Sequence, residues 1–359
     1  MRFTLPVQLD LMTIGVKSTY WDWVRRNTAT RWWHDSADGA ELDCSLQRGA
    51  TGVTTNPVLI ATAVKSHPNH WRAVTRRFSR DQPAEERAEG LTKAAVCAAA
   101  EKLFPIFQAS DRRSGWVCAQ VNPSRVGDRG CMLAMAQRFH RWAPNIAVKL
   151  PATSAGLDVL EDCVADGITV TATVSFTVPQ ALEIAERHRV GVSRAERRRG
   201  LTPGRCFAVL MVGRLDDYLR EVAHDSNAHV AESDIRQAGL AIAKRAYTIY
   251  RTRGYDAVLL VAALRGSYHL TELVGGDLVL AIHPSQQAAL ESTELPHEPR
   301  IDCPVPPETL DRLRCLPDFV RAYEPNGMTV GEFITFGATQ RTLSQFVETG
   351  WKELERTCQ

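Results

Sequence analysis

The chain has 359 residues, of which 44% are hydrophobic and 23% charged, the balance of a globular protein with a sizeable core. Lys and Arg total 43 against 41 Asp and Glu, a net charge of +2, which argues against nucleic acid or a membrane surface as partner. No apolar run approaches the length of a membrane span.

In chain order, short β-branched apolar runs predict strands over 31–36, 50–56, 116–122, 146–150, 168–176, 206–214, 257–264 and 278–283. Most are near-continuously apolar, as strands buried on both faces of a parallel sheet are. Between them lie helix-like stretches. In 156–165, Leu157, Leu160 and Val164 share one helical face, and in 179–189 Ala181, Leu182, Ile184 and Ala185 do. Longer insertions at 59–114 and 215–256 are expected to be helical too. Eight alternations predict an α/β fold, a (β/α)8 TIM barrel with inserted helices and a C-terminal helical extension. A doubly wound open sheet would need a phosphate-binding Gly-rich turn after its first strand, and the sequence has none there. No linker divides the chain, so a single barrel domain over 1–359 is expected, with helices 307–357 packing on the barrel.

Nine cysteines (Cys44, Cys97, Cys118, Cys131, Cys163, Cys206, Cys303, Cys315 and Cys358) form no CxxC pair. Their odd number and apolar settings suit free thiols in a reducing cytoplasm and argue against a structural zinc site. Gln8 and Asp10 interrupt the apolar N-terminus, so no signal peptide is expected. The interrupted cluster Arg194, Arg197, Arg198, Arg199 reads as a solvated helix face.

Chemistry in such a barrel sits at the carboxyl ends of the strands. Those ends carry Asp35, Asn56, Gln120 with Asn122, Lys149, Thr171 with Thr173, Arg214, Arg265 and His283. Lys149 stands out because Ile146-Ala147-Val148-Lys149-Leu150 sets an ammonium in an apolar strand. Desolvation favours the neutral amine, which carbonyl chemistry requires. The alternative is a stem packed on apolar neighbours with its charge reaching water. Asp35 is either an acid/base or the N-cap of a helix over 37–46. Asn56 also suits a turn before Pro57, Thr173 an ordinary strand position, and each arginine a structural ion pair.

Several segments carry a resemblance to the transaldolase family. They are Gly52-Val53-Thr54-Thr55-Asn56-Pro57, Val148-Lys149-Leu150-Pro151-Ala152-Thr153, and Gly167-Ile168 through Phe176, followed by Val212-Gly213-Arg214 and Leu264-Arg265. The tail adds Leu316-Pro317, Arg321-Ala322-Tyr323, Gly327-Met328-Thr329 and Phe336-Gly337-Ala338-Thr339, so the resemblance runs from about residue 30 to the end. It implies that Lys149 forms a Schiff base with a ketose. Asp35 would then move the C4 hydroxyl proton, Thr173 place a water, and Asn56 hold the donor. Arg214 and Arg265 would clamp the acceptor phosphate. It implies sugar-phosphate substrates of the pentose phosphate kind and no cofactor. No metal-ligand cluster is seen, and oligomeric state is left open.

The chain departs from the family pattern at five positions. Gln120 stands where transaldolases carry a glutamate; glutamine also occurs in the fructose-6-phosphate aldolase branch, which pairs it with a tyrosine where this chain has Met211. Thr171 replaces an asparagine, Val209 a serine, and His283 a frequent serine. Three readings follow: transfer of a three-carbon ketol (dihydroxyacetone) unit, an aldolase-like lyase that releases the donor fragment, or a sugar-phosphate-binding barrel without catalysis. Retention of Lys149 with Asp35 favours an enzyme.

Overall fold

The computed structural model describes residues 19–79, 81–198, 200–291 and 294–357. The N-terminal segment with Gln8 and Asp10, Arg199 and Cys358 lie outside the described residues. Eight parallel strands close into a barrel in sequence order: β1 (Arg31–Asp35), β2 (Gly52–Thr54), β3 (Trp116–Gln120), β4 (Ile146–Pro151), β5 (Val170–Thr173), β6 (Cys206–Met211), β7 (Val258–Ala262) and β8 (Val279–Ile282). The predicted (β/α)8 barrel is therefore the observed one. Every residue of β2 to β6 and β8 is buried, and outside β5, where Thr171 and Thr173 alternate with Val170 and Ala172, these strands lack polar alternation.

The helices are α1 (Tyr20–Asn27), α2 (Gly39–Gln47), α3 (Pro57–Ser66), α4 (Pro68–Thr75), α5 (Ala84–Ala109), α6 (Arg129–Phe139), α7 (Ser154–Ala165) and α8 (Val178–Glu196). They continue with α9 (Val212–Asp225), α10 (Glu232–Arg253), α11 (Ser267–Leu273), α12 (Pro284–Glu291), α13 (Pro307–Leu313), α14 (Pro317–Tyr323), α15 (Gly337–Gln345) and α16 (Lys352–Thr357). The first long insertion holds α3, α4 and α5; the second is mostly α9 and α10.

Caps mark where strands hand over to helices. Asp38 caps α2, accepting from Ala40 N (2.8 Å) and Glu41 N (3.0 Å). Thr153 and Thr177 cap α7 and α8 in the same way, each leaving a hydroxyl on an otherwise orphan amide.

Aromatic rings close the lower barrel. Trp33 packs edge-on against Phe207 (4.7 Å between centroids), and Phe207 meets Trp116 at 6.4 Å. Gly52 is dictated by this plug: a Cβ there would lie 2.5 Å from the Trp33 ring. Filling the floor with rings leaves the upper interior for polar groups.

The tail returns to the carboxyl ends of the strands. Phe346–Trp351 forms a π-helical turn joining α15 to α16, and Gly350 within it lies against the start of α3. A Cβ on Gly350 would meet Pro57 Cβ and Val58 N at 2.8 Å. The π-helical turn is thereby seated beside Asn56, at the rim of the barrel. No helix among the described residues is long and apolar enough to cross a membrane.

Candidate active site

Lys149 rises from the middle of β4 into the upper barrel and is 5% exposed. Its Nζ donates to Thr54 Oγ1 (3.0 Å) and to the Thr55 carbonyl (2.9 Å). The amine is held inside the barrel, so the alternative of a charge reaching water is ruled out. Two acceptors use two N–H bonds of a neutral amine and leave its lone pair free. Burial pushes the Lys149 ammonium below its ordinary value; nearby Cys118 and Asp35 oppose that shift, and Arg214 adds to it.

Lys149 opens into a cavity of about 340 Å³ with Asp35, Asn56, Thr173, Arg214, Arg265 and His283 on its wall. Seven of the nine predicted residues thus meet in one space. Gln120 and Thr171 do not line it. Gln120 sits opposite Lys149 in the β3–β4 register, 4% exposed, with its Oε1 lacking a hydrogen-bond partner among the described residues. Thr171 is fully buried in register with Lys149, its Oγ1 3.4 Å from Cys118 Sγ. Both stand beside the lysine in the strand layer.

Asp35 ends β1. The helix-cap alternative fails because Asp38 occupies that position, and the Asp35 carboxyl makes no hydrogen bond among the described residues. Burial raises its carboxyl above the usual carboxylate range, while Lys149, His283, Arg214 and Arg265 pull it back in that order. A carboxyl caught between these influences is suited to exchange protons. Thr173 Oγ1 is likewise buried without a partner among the described residues, although the residue faces the cavity. A buried hydroxyl unpaired with protein is placed to bond a molecule entering the cavity.

Two strand-end residues have structural roles. Asn122 turns away, accepting from Ser124 N (2.9 Å) and donating to Glu85 Oε1 (2.7 Å). Asn56 does both jobs. Its Oδ1 caps α3 through Leu59 N (3.0 Å), with Pro57 at the first helical position, while the residue remains on the cavity wall.

Arg214 corrects the expected strand over 206–214. β6 stops at Met211, and Arg214 sits in the first turn of α9. Its Nη1 donates to Gln345 Oε1 (2.6 Å), and its guanidinium lies 5.4 Å above the Phe346 ring. Burial lowers its basicity, and the like charge of Arg265 lowers it further. Among the described residues it has no carboxylate partner. Arg265 does: its Nη2 and Nε donate to Asp217 Oδ2 at 2.6 and 3.0 Å. Gly213 lets that side chain pass, since a Cβ there would lie 2.5 Å from Arg265 Cγ. His283, exposed, accepts at Nδ1 from Ser285 N (3.3 Å).

The backbone is strained at two points on this rim. Val174, next to Thr173, has φ 57°, and Ala263, two residues before Arg265, has φ 59°. Left-handed conformations at non-glycine residues cost roughly 1–3 kcal/mol and collect at functional sites.

Sequence reasoning missed Thr54, Cys118, Asp217 and Gln345. Thr54 and Cys118 were open to discovery, because residues two apart on a strand share a face, and Thr54 lies two before Asn56 and Cys118 two before Gln120. Asp217 lies one helical turn after Arg214. Gln345 is 131 residues from Arg214 and carried no signal.

The chain matches the Transaldolase/Fructose-6-phosphate aldolase family over residues 32–314. It is 27% identical over 235 residues to a protein named transaldolase from Thiobacillus denitrificans, covering 64% of this chain and 65% of that one. It is 29% identical over 209 residues to transaldolase 2 of Streptomyces avermitilis (57% and 56%). Over 202 residues it is 29% identical to a transaldolase from Kocuria rhizophila (55% and 55%). The alignments thus span about half to two thirds of the length of these relatives. A family match that runs across all eight strands, on a barrel closed in sequence order, places the chain in the transaldolase/fructose-6-phosphate aldolase family.

Proposed function

We propose that the protein is a transaldolase-type transferase that moves a three-carbon ketol unit between sugar phosphates through an imine on Lys149. The observation carrying this is the buried amine: Lys149 Nζ is held by two neutral acceptors inside a cavity that also contains Asp35. Its lone pair attacks the ketose C2 carbonyl, and loss of water leaves an iminium. Asp35 then takes the C4 hydroxyl proton as the C3–C4 bond breaks. The bonding pair passes into the iminium to give an enamine, and the aldehyde leaves. The enamine attacks an aldose acceptor, Asp35 returns the proton, and water releases the product. Thr173, with its unpaired hydroxyl, is the water holder in this reading.

Borohydride reduction in the presence of fructose 6-phosphate should leave one adduct on Lys149, read by peptide mass spectrometry. An unmodified Lys149 across candidate ketoses would remove the centre of the proposal. A second reading, an aldolase releasing dihydroxyacetone, is favoured by one feature of the wall. Val209 and Met211 line the cavity and offer the donor no hydrogen bond. Free dihydroxyacetone formed without an acceptor aldose would select that reading over transfer.

The arginines are proposed to grip the acceptor phosphate. A guanidinium bonded to a charged group contributes roughly 1.5–3 kcal/mol. Arg214→Ala is expected to raise the KM for a phosphorylated acceptor by roughly tenfold or more. Arg265→Ala should have the smaller effect, because Asp217 already shares its charge. Unchanged KM in both variants would end the phosphate-clamp assignment.

A further inference from the structure

Below the aromatic plug the barrel has a second opening. A cavity of about 730 Å³ lies under the amino ends of the strands, where Arg31 begins β1 and Arg205 immediately precedes β6. Trp33, Phe207 and Trp116 stand between it and the Lys149 cavity. Four arginines line it: Arg31, Arg113, Arg205 and Arg251. The carboxylates on its wall are Asp256 and Asp277.

These charges are unequally matched. Arg31 pairs with Asp277 at 2.8 Å, and Arg251 with Asp302, which lies off the wall, at 3.0 Å. Arg113 and Arg205 have no carboxylate partner among the described residues, and the Arg205 guanidinium makes no hydrogen bond to any of them. Positive charge stays in excess even when Asp302 is counted. Arg205 is half-buried, and its basicity is lowered by burial, then by the like charges of Arg31 and Arg113, against which Asp277 acts weakly. Arg113 and Arg251 are exposed, so the repulsion falls mainly on half-buried Arg205, where like charges are unfavourable unless an anion joins them. The volume is that of a small-molecule site.

We propose that this lower cavity is a second, non-catalytic anion site that binds a phosphoryl group, either as inorganic phosphate or as a small phosphate ester, through Arg205 and Arg113. The unbonded Arg205 guanidinium and the Nη groups of Arg113, whose Nε donates to the Ser110 carbonyl (3.2 Å), suit the tetrahedral oxygens of a phosphoryl group. The site is separate from the reaction described above and does not depend on it.

The test uses the full chain with the upper arginines removed, Arg214→Met with Arg265→Met, so that the two sites report separately. Titration calorimetry with inorganic phosphate at low ionic strength should still find one site in that background. Adding Arg205→Gln, or Arg113→Gln on the exposed loop, should weaken binding by roughly tenfold or more. Arg205→Gln should also raise the melting temperature in phosphate-free buffer, because it relieves repulsion at the cluster, and this shows that the variant is folded. Glucose 6-phosphate titrated in parallel identifies the source: tighter binding than inorganic phosphate points to an ester, and equal binding to the phosphoryl group alone. The proposal is overturned by any of three outcomes: no phosphate bound in the background variant, an affinity unchanged by both lower-site substitutions, or acetate displacing phosphate at equal concentration.

Discussion

Replacing Lys149 with Met will abolish the reducible ketose adduct and lower turnover by roughly 10⁴-fold or more, while the protein stays folded. Methionine keeps the length and apolar bulk of the stem, so the strand layer around Ala147, Thr171 and Gln120 has no cavity to collapse into. What is lost is the nucleophile. Thr54 Oγ1 can turn to a new partner, whereas the Thr55 carbonyl loses its donor, a modest cost set against removal of a buried amine. Melting temperature, adduct mass and turnover are measured on the same preparation. Residual turnover within tenfold of wild type would show that imine formation at Lys149 is not the route.

Asp35→Asn separates chemistry from binding. The amide keeps the size of the carboxyl but cannot accept the C4 proton, so kcat should fall by roughly 10²–10⁴-fold. The imine forms before Asp35 acts, and the trapped adduct on Lys149 should persist. The pH dependence has a defined sign. Burial raises the folded-state carboxyl above its ordinary value of 3.8, and the reaction needs the ionised form. The acid limb of the wild-type rate profile should therefore lie above 3.8 and disappear in Asp35→Asn.

Stability moves the opposite way from activity. When a carboxyl is harder to ionise folded than unfolded, ionisation favours the unfolded chain as pH rises past 3.8, and below that value both states are protonated. Asp35→Asn should accordingly be more stable than wild type near neutral pH, with the gain fading as pH falls toward 3.8. A variant less stable at neutral pH would mark Asp35 as a structural carboxylate. An activating substitution at the same position is not expected, since stability given up at a site is commonly tied to its function.

The barrel was legible because its signal is local and repeated. A strand covered on both faces must be apolar throughout, and eight such runs separated by helical periodicity admit few closed arrangements. The end of a strand is a local property too, so Asp35, Asn56 and Thr173 could be placed at the rim from chain order alone, whereas Lys149 lies two residues inside the end of β4. Errors arose where polar chemistry and backbone geometry are exchangeable at short range. Asn122 sits at a strand end like its neighbours, yet it serves a 3-10 turn and Glu85. Arg214 was assigned to an apolar strand that ends three residues earlier, because Val212 and Gly213 continue the pattern while already belonging to a helix.

Tertiary structure decided matters of pairing. Which of Asp35 and Asp38 caps α2 depends on the turn between them, and that choice is what leaves Asp35 free for the cavity. Whether Lys149 points to water or inward depended on Thr54 and Thr55, some 95 residues away. The contrast between an Arg265 held by Asp217 and an Arg214 held by Gln345 and Phe346 likewise needed the folded chain. Burial and charge are set by neighbours distant in sequence, and no local pattern encodes them. Hydrophobic period and strand order thus carry the barrel and the list of candidate residues. Closure of the barrel and return of the tail determine which of those residues are desolvated, paired or free, and reactivity follows from that.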